Sequence, residues 1–301
     1  MDEAVFPLGP ALLFCPGNRP DRFAKAAERA DAVILDLEDA VAPARKAEAR
    51  TAVCDSLRGE ADLQRTVVRV NAVNSPEVTA DLAALAQTRV RWIMLPKAES
   101  VDDVELVTTA LPDVQVLALC ESARGVRRAE QLAAHPAVTA LMWGAEDLLA
   151  DLGGTSSRTD SGTYRHVAQH ARAEVLLSAI SEGAAAIDSI YADIEDLEGV
   201  RAEAVDAAAS GFAAKACIHP AHAGEIRAGF APSAEDVEYA QALMEELERR
   251  AGPALPGATD PADPASTHGT ADDGAFTFRG AMVDAPLIRH ARRILSRAQP
   301  A

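Results

Sequence analysis

The sequence predicts an α/β fold, a closed (β/α)8 or TIM barrel followed by a C-terminal lid or arm segment, on three observations. Short β-branched apolar runs alternate eight times with longer amphipathic stretches, so the hydrophobic period switches repeatedly between 2 and 3.6. Ionisable residues collect at the ends of those runs, where a barrel gathers its loops. Beyond residue 250 the chain loses its core-forming composition and then regains it near the C-terminus. A doubly wound open sheet would give similar local patterns, so closure is an expectation for the structure to decide.

The strands read in order as Ala11 to Cys15, Ala32 to Leu37, Thr66 to Val70, Trp92 to Leu95, Val114 to Leu119, Val138 to Trp143, Ala185 to Ile190 and Ala213 to Ile218. Each precedes a helical pattern, as in Val101 to Ala110 and Leu197 to Ser210. A trailing helix opens on Ser233 and Asp236, spaced as a capping box, and places Val237, Ala240, Met244 and Leu247 on one face. The expected domains are therefore a barrel with this helix over residues 1–250, a flexible acidic Pro/Gly/Ala-rich linker over 251–275, and a lid over 276–301. The lid ends in a basic helix, Ile288 to Ala298, and its place after a linker suggests a C-terminal lid or a swapped arm.

The 301 residues hold 46 acidic and 29 basic side chains, a net charge of −17 that disfavours nucleic acid or an anionic membrane as partner. The start, MDEAVFPLGP, has no basic n-region, and no apolar run reaches the ~18 residues of a membrane span, so a cytoplasmic chain is expected. Cys15, Cys54, Cys120 and Cys217 form no CxxC pair and read as buried small hydrophobes.

At the strand ends stand Asn18 and Arg19, Asp36, Glu38 and Asp39, Arg69 and Asn71, Lys97 and Glu99, Glu121, Glu146 and Asp147, Asp193, and His219. Any one of them could simply mark where chain meets solvent. Glu121 and Asp147 close consecutive strands, so in a barrel their carboxylates converge and repel unless a cation lies between them. Magnesium, which takes one or two protein carboxylates and fills its octahedron with water and substrate oxygens, suits that pair; a solvated pair is the alternative. Arg69 could grip a substrate carboxylate or a developing enolate oxygen through its fork of donors, or it could bridge to the carboxylates of the second strand. Arg19, Arg22 and Lys25 make a local positive patch that could hold phosphates, or an ordinary exposed helix face. His166 and His170 lack the glutamate of a metalloprotease signature and read as a solvated helix face. The Gly153–Gly154 pair reads as a loop, and neither a nucleophile elbow nor a Walker loop occurs.

Taken in order, LLFCPGNRPDR (12–22), VILDLEDAV (33–41), VVRVN (67–71), IMLPKAES (93–100), ALCESARGV (118–126), MWGAEDL (142–148), CIHP (217–220) and AMVDAP (281–286) resemble the citrate lyase β-subunit-like proteins, the group that includes malyl-CoA and citramalyl-CoA lyases. The likeness is closest to stand-alone actinobacterial members. It implies a (β/α)8 barrel, Mg2+ dependence, and a homotrimer or a hexamer of two trimers. Residue by residue it implies Glu121 and Asp147 as metal ligands and Arg69 as the substrate-binding cation. It further implies Asp284 as the acid/base, delivered across a subunit interface, and Phe14, Arg19 and Lys25 near the CoA moiety. Asp21 stands where some members carry lysine.

The activity so implied is Mg2+-dependent cleavage or formation of a 3-hydroxy-carboxyacyl-CoA thioester such as malyl-CoA, citramalyl-CoA or citryl-CoA, with an acyl-CoA and a 2-oxoacid as the other side of the reaction. Thioester hydrolysis, condensation of an acyl-CoA with glyoxylate, and a citrate lyase subunit that needs acyl carrier protein are alternatives the residues do not separate. A non-catalytic ligand-binding barrel is a further alternative.

Overall fold

In the computed structural model, which describes residues 6–59, 61–251 and 275–298, eight parallel strands close into a barrel in sequence order. They are β1 (Ala11–Pro16), β2 (Ala32–Asp36), β3 (Thr66–Arg69), β4 (Trp92–Leu95), β5 (Gln115–Cys120), β6 (Val138–Trp143), β7 (Ala185–Asp188) and β8 (Ala214–Cys217). Around them run α1 (Phe23–Arg29), α2 (Lys46–Arg58), α3 (Val78–Leu85), α4 (Val101–Ala110), α5 (Ala123–Arg127), α6 (Ala129–Ala133), α7 (Ala145–Asp151), α8 (His166–Ser181), α9 (Leu197–Ser210) and α10 (Pro220–Phe230). The open-sheet alternative is excluded by the pairing of β1 with β8, Leu12 opposite Ala216.

Alternation at period 2 explains the two apolar layers. Leu12, Ile34, Val67, Met94, Leu119, Met142 and Ile187 fill the barrel interior. Their neighbours Leu13, Leu35, Val68, Ile93, Ala118, Leu141 and Ala186 pack in the outer layer with helix residues such as Val53, Leu82, Val104 and Val175. All four cysteines are free and buried in that outer layer. No helix among the described residues is long and apolar enough to cross a membrane.

β7 stops at Asp188, short of the expected Ile190, because its last residue turns into a buried ion cluster in place of a continued ladder. Asp188 accepts hydrogen bonds from Trp143 Nε1 (2.7 Å), Arg172 Nε (2.9 Å) and Lys215 Nζ (3.0 Å). Burial pushes its carboxyl towards neutrality, but Lys215 and Arg172 outweigh burial and hold it below the usual aspartate range. Replacing Lys215 by Met strands part of that charge without solvent, and urea denaturation should report a loss of about 3 kcal/mol.

The chain divides into two compact units, residues 1–230 and 231–301. The trailing helix α11 (Ala234–Ala251) thus groups with the C-terminal segment, where the sequence reading attached it to the barrel. At its start Ser233 Oγ accepts the Asp236 N–H at 3.0 Å, the N-cap half of the expected box, and donates to Asp236 Oδ2 at 2.6 Å. In the second unit α11 packs on a hairpin, β9 (Phe276–Phe278) with β10 (Ala281–Val283), and on α12 (Ala285–Ala298). Ala240, Leu243, Leu247, Val283, Ile288 and Ala291 form its core. The hairpin turns on Arg279 and Gly280, both at positive φ, as a two-residue turn requires. The expected 251–275 linker lies outside the described residues, apart from its two ends.

Candidate metal centre and active site

Asp36, the last residue of β2, is the fixed point of the barrel mouth. Its Oδ1 accepts the Glu38 N–H (2.8 Å) and its Oδ2 the Ala40 N–H (3.0 Å), which folds the following loop back and presents Glu38. The same two oxygens receive Arg69 Nε (2.7 Å) and Nη2 (2.6 Å) as a bidentate pair. Arg69 Nη1 lies 3.0 Å from Glu38 Oε2, and the guanidinium sits 4.8 Å over the Phe14 ring. Arg69 is therefore bridged to the second strand, with Asp36 taking the edge of the fork that the sequence reading considered for a substrate.

Glu121 follows β5 directly, and its neighbours explain its placement. Ser122 caps α5, accepting the Gly125 N–H at 3.0 Å and donating to Glu99 Oε1 at 2.8 Å, so the strand ends in a sharp strand-to-helix turn. A Cβ on Gly125 would lie 2.5 Å from the Ala98 carbonyl, which requires glycine there. Glu121 itself is buried, 3% exposed. Burial first, then the Asp147 charge, push its carboxyl up to about 8, with Lys97 partly opposing.

Asp147 comes from the next strand by way of Gly144 and the first turn of α7. Of the two acids there, Glu146 accepts the Ser157 hydroxyl at 2.7 Å, which leaves Asp147 as the one beside Lys97 and the Glu121 site. Gly144 packs directly on Glu121: a Cβ would stand 2.8 Å from both Glu121 Cβ and Oε2. Gly144→Ala should accordingly displace the Glu121 carboxylate, cost about 1–3 kcal/mol on thermal unfolding, and weaken binding of any cation at this point; calorimetric titration reads the second effect.

Glu121 and Asp147 converge on one atom, the Lys97 ammonium, at 3.8 and 3.2 Å. Lys97 Nζ also pairs with Glu38 Oε1 (2.6 Å) and Asp39 Oδ2 (3.4 Å), and the Lys97 N–H donates to Glu121 Oε1 at 3.1 Å. A cationic group thus already stands between the carboxylates, so the position suits positive charge. Among the described residues no cluster of three or more His, Cys, Asp or Glu side chains could hold a metal. The donors are two hard carboxylates, the kind of oxygen ligand that Mg2+ takes, and unlike the His and Cys donors of a closed zinc site.

The remaining expected residues fall elsewhere. Arg19 is partly exposed and makes a bidentate pair with Asp21 at 2.9 and 2.8 Å, and Lys25 is exposed on α1. Asp284 is the N-cap of α12 in the second unit, its Oδ1 accepting the Leu287 N–H at 3.2 Å. His166 and His170 are both exposed on α8. Asn71 is engaged by Asp81 and Lys46. A cavity of about 650 Å3 lies away from the mouth, between α8 and α9, lined in part by Arg158, Tyr164, Arg172, Tyr191, Glu203 and Asp206. Its arginines are already paired, Arg158 with Glu203 and Arg172 with Asp188 and Asp206, so it offers no open fork for an anion. Lys97 and the linked pair Asp36 and Glu38 were noted in sequence only as strand-end charges; their partners are distant in the chain, and only LDLED and LPK at two strand ends signalled them.

Comparison with known proteins gives three concordant findings. A family model described as HpcH/HpaI aldolase/citrate lyase matches residues 11–220. The chain is 44% identical over 290 residues to a citrate lyase subunit beta-like protein of Mycobacterium tuberculosis, covering 96% of each, and 36% identical over 244 residues to a (3S)-malyl-CoA thioesterase of Cereibacter sphaeroides, covering 79% of this chain and 84% of the other. Among solved structures it is similar to the protein CitE from Mycobacterium tuberculosis in complex with magnesium, acetoacetate and coenzyme A. There the TM-score is 0.82 at 44% identity, over 97% of this chain and 98% of the other.

Proposed function

The chain belongs to the HpcH/HpaI aldolase/citrate lyase family, and on that premise we propose that it is a Mg2+-dependent carbon–carbon lyase that splits a 3-hydroxy-carboxyacyl-CoA thioester into an acyl-CoA and a 2-oxoacid. The observation that carries the proposal is the convergence of Glu121 and Asp147 on a single cation position in the barrel mouth. These two side chains would hold the ion. Bound there, Mg2+ supplies Lewis acidity towards the substrate's carboxylate and hydroxyl oxygens.

The chain's own groups do the rest. Asp36 holds the Nε–Nη2 edge of Arg69 beside Phe14, and Arg69 would meet the charge that develops as the C–C bond breaks through Nη1, once Glu38 releases it. As that bond breaks, the hydroxyl oxygen gives up its proton to water and becomes the carbonyl of the 2-oxoacid, while the bond's electron pair passes to the thioester as an enolate. Protonated Asp284 gives its proton to the enolate carbon and is reprotonated from solvent; in the condensing direction Asp284 removes that proton. We assign Asp284 to a neighbouring subunit of a homotrimer or a hexamer of trimers. Arg19 and Lys25, with Phe14, would receive the CoA moiety. Asp21 must release Arg19 for a phosphate contact, an exchange at low cost for an exposed pair.

The test is incubation with malyl-CoA, citramalyl-CoA and citryl-CoA, with product identification. A 2-oxoacid together with an acyl-CoA is expected. Free hydroxyacid and CoA alone would favour hydrolysis, the reading supported by likeness to the thioesterase. Silence on free CoA thioesters that added acyl carrier protein restores would favour a complex subunit.

A further inference from the structure

Lys97 has no part in the steps above, yet its ammonium occupies the point on which the two proposed metal carboxylates converge. We infer that Lys97 is a built-in counter-ion that steadies Glu121 and Asp147 in the metal-free protein and yields both to the arriving magnesium, thereby setting the site's affinity. The inference rests on the magnesium reading of that pair.

Two carboxyl groups share this site, one of them buried, and whatever negative charge they carry in the metal-free protein is costly without a positive group beside them. Lys97 supplies it, and its geometry suits displacement. The contacts to Asp147 and Glu121, 3.2 and 3.8 Å, are both looser than that to Glu38 Oε1 at 2.6 Å, and Asp39 Oδ2 stands at 3.4 Å from the same nitrogen. An ammonium and a divalent cation cannot share one point, but Lys97 can shift towards Glu38 and Asp39 and remain paired. Its backbone stays fixed meanwhile. Lys97 has φ of 50°, the left-handed region that non-glycine residues seldom adopt, and its N–H is anchored on Glu121 Oε1. A strained residue is held at the strand end with both its N–H and its ammonium against the same carboxylate.

The test is magnesium binding by calorimetry, with thermal melting in parallel, on chelator-treated wild type, Lys97→Met and Lys97→Arg. Lys97→Met should bind Mg2+ about tenfold tighter or more, melt lower than wild type without metal, and gain more in Tm when Mg2+ is added. Lys97→Arg keeps the charge and should bind Mg2+ no tighter than wild type. Equal or weaker binding by Lys97→Met, in a wild type that does bind Mg2+, overturns the counter-ion inference and leaves the magnesium reading standing. Should Lys97→Met not fold, tighter binding by Lys97→Arg would overturn the inference on its own. No binding by wild type or by either variant overturns the magnesium reading, and the inference falls with it.

Discussion

Glu121→Gln should lower Mg2+ affinity at least ~100-fold and lyase turnover ~1,000-fold or more, while the metal-free protein melts no lower than wild type. The affinity loss follows from removing one of the two carboxylates proposed to hold an ion that is bound chiefly by charge. The retained stability follows from burial. Glu121 sits where a charged carboxyl is disfavoured, its pKa pushed to about 8, so a neutral amide of the same shape relieves the site. A merely structural Glu121 would give the opposite pattern, a lower melting temperature with unchanged Mg2+ binding. Calorimetry and circular dichroism melting on the same sample separate the two. Asp147→Asn should act in the same direction, with a smaller effect on stability because its side chain is 38% exposed.

Asp284→Asn should cost ~100-fold to 10,000-fold in turnover, the range general acid–base catalysis supplies, and leave Mg2+ and 2-oxoacid binding intact. The variant is a clean one: Asp284 caps α12, and asparagine caps a helix about as well as aspartate, so the second unit should keep its fold. If Asp284 serves a neighbouring subunit, refolding Asp284→Asn together with Glu121→Gln should restore part of the activity, since mixed oligomers then contain sites with both residues. Two inactive variants that stay inactive when mixed would place Asp284 and Glu121 in the same subunit's site, or remove Asp284 from the chemistry.

Legibility in the sequence followed how local each determinant is. β4 and β6 and the helices at Val101–Ala110 and Leu197–Ser210 were read to the residue, because apolar periodicity and flanking polar residues bound them within a few positions. β7 was read too long: AIDSIY continues an apolar alternation, and only the distant Lys215 and Arg172 reveal why Asp188 ends the strand. The C-terminal hairpin was missed, since Arg279–Gly280 is not among the turn pairs that announce one. The amphipathic face of α11 was legible, but the surface it covers was not, and it proved to be α12 and the hairpin. Glu121 and Asp147 could be named because consecutive strands of a barrel are neighbours. Arg69 was named too, but its fork had two possible partners, and the choice of Asp36 depends on the fold of the loop that follows β2. Lys97 is the sharpest case, because its charge was evident in sequence, whereas its position among four carboxylates drawn from three strand ends needed the closed barrel.

The central claim is that the ion held by Glu121 and Asp147 makes C–C cleavage feasible, and release of 2-oxoacid from the preferred CoA thioester tests it most directly. Chelator-stripped protein should release none above background and should recover on addition of Mg2+, with Glu121→Gln failing to recover. Stripped protein as fast as the reloaded enzyme would contradict the account.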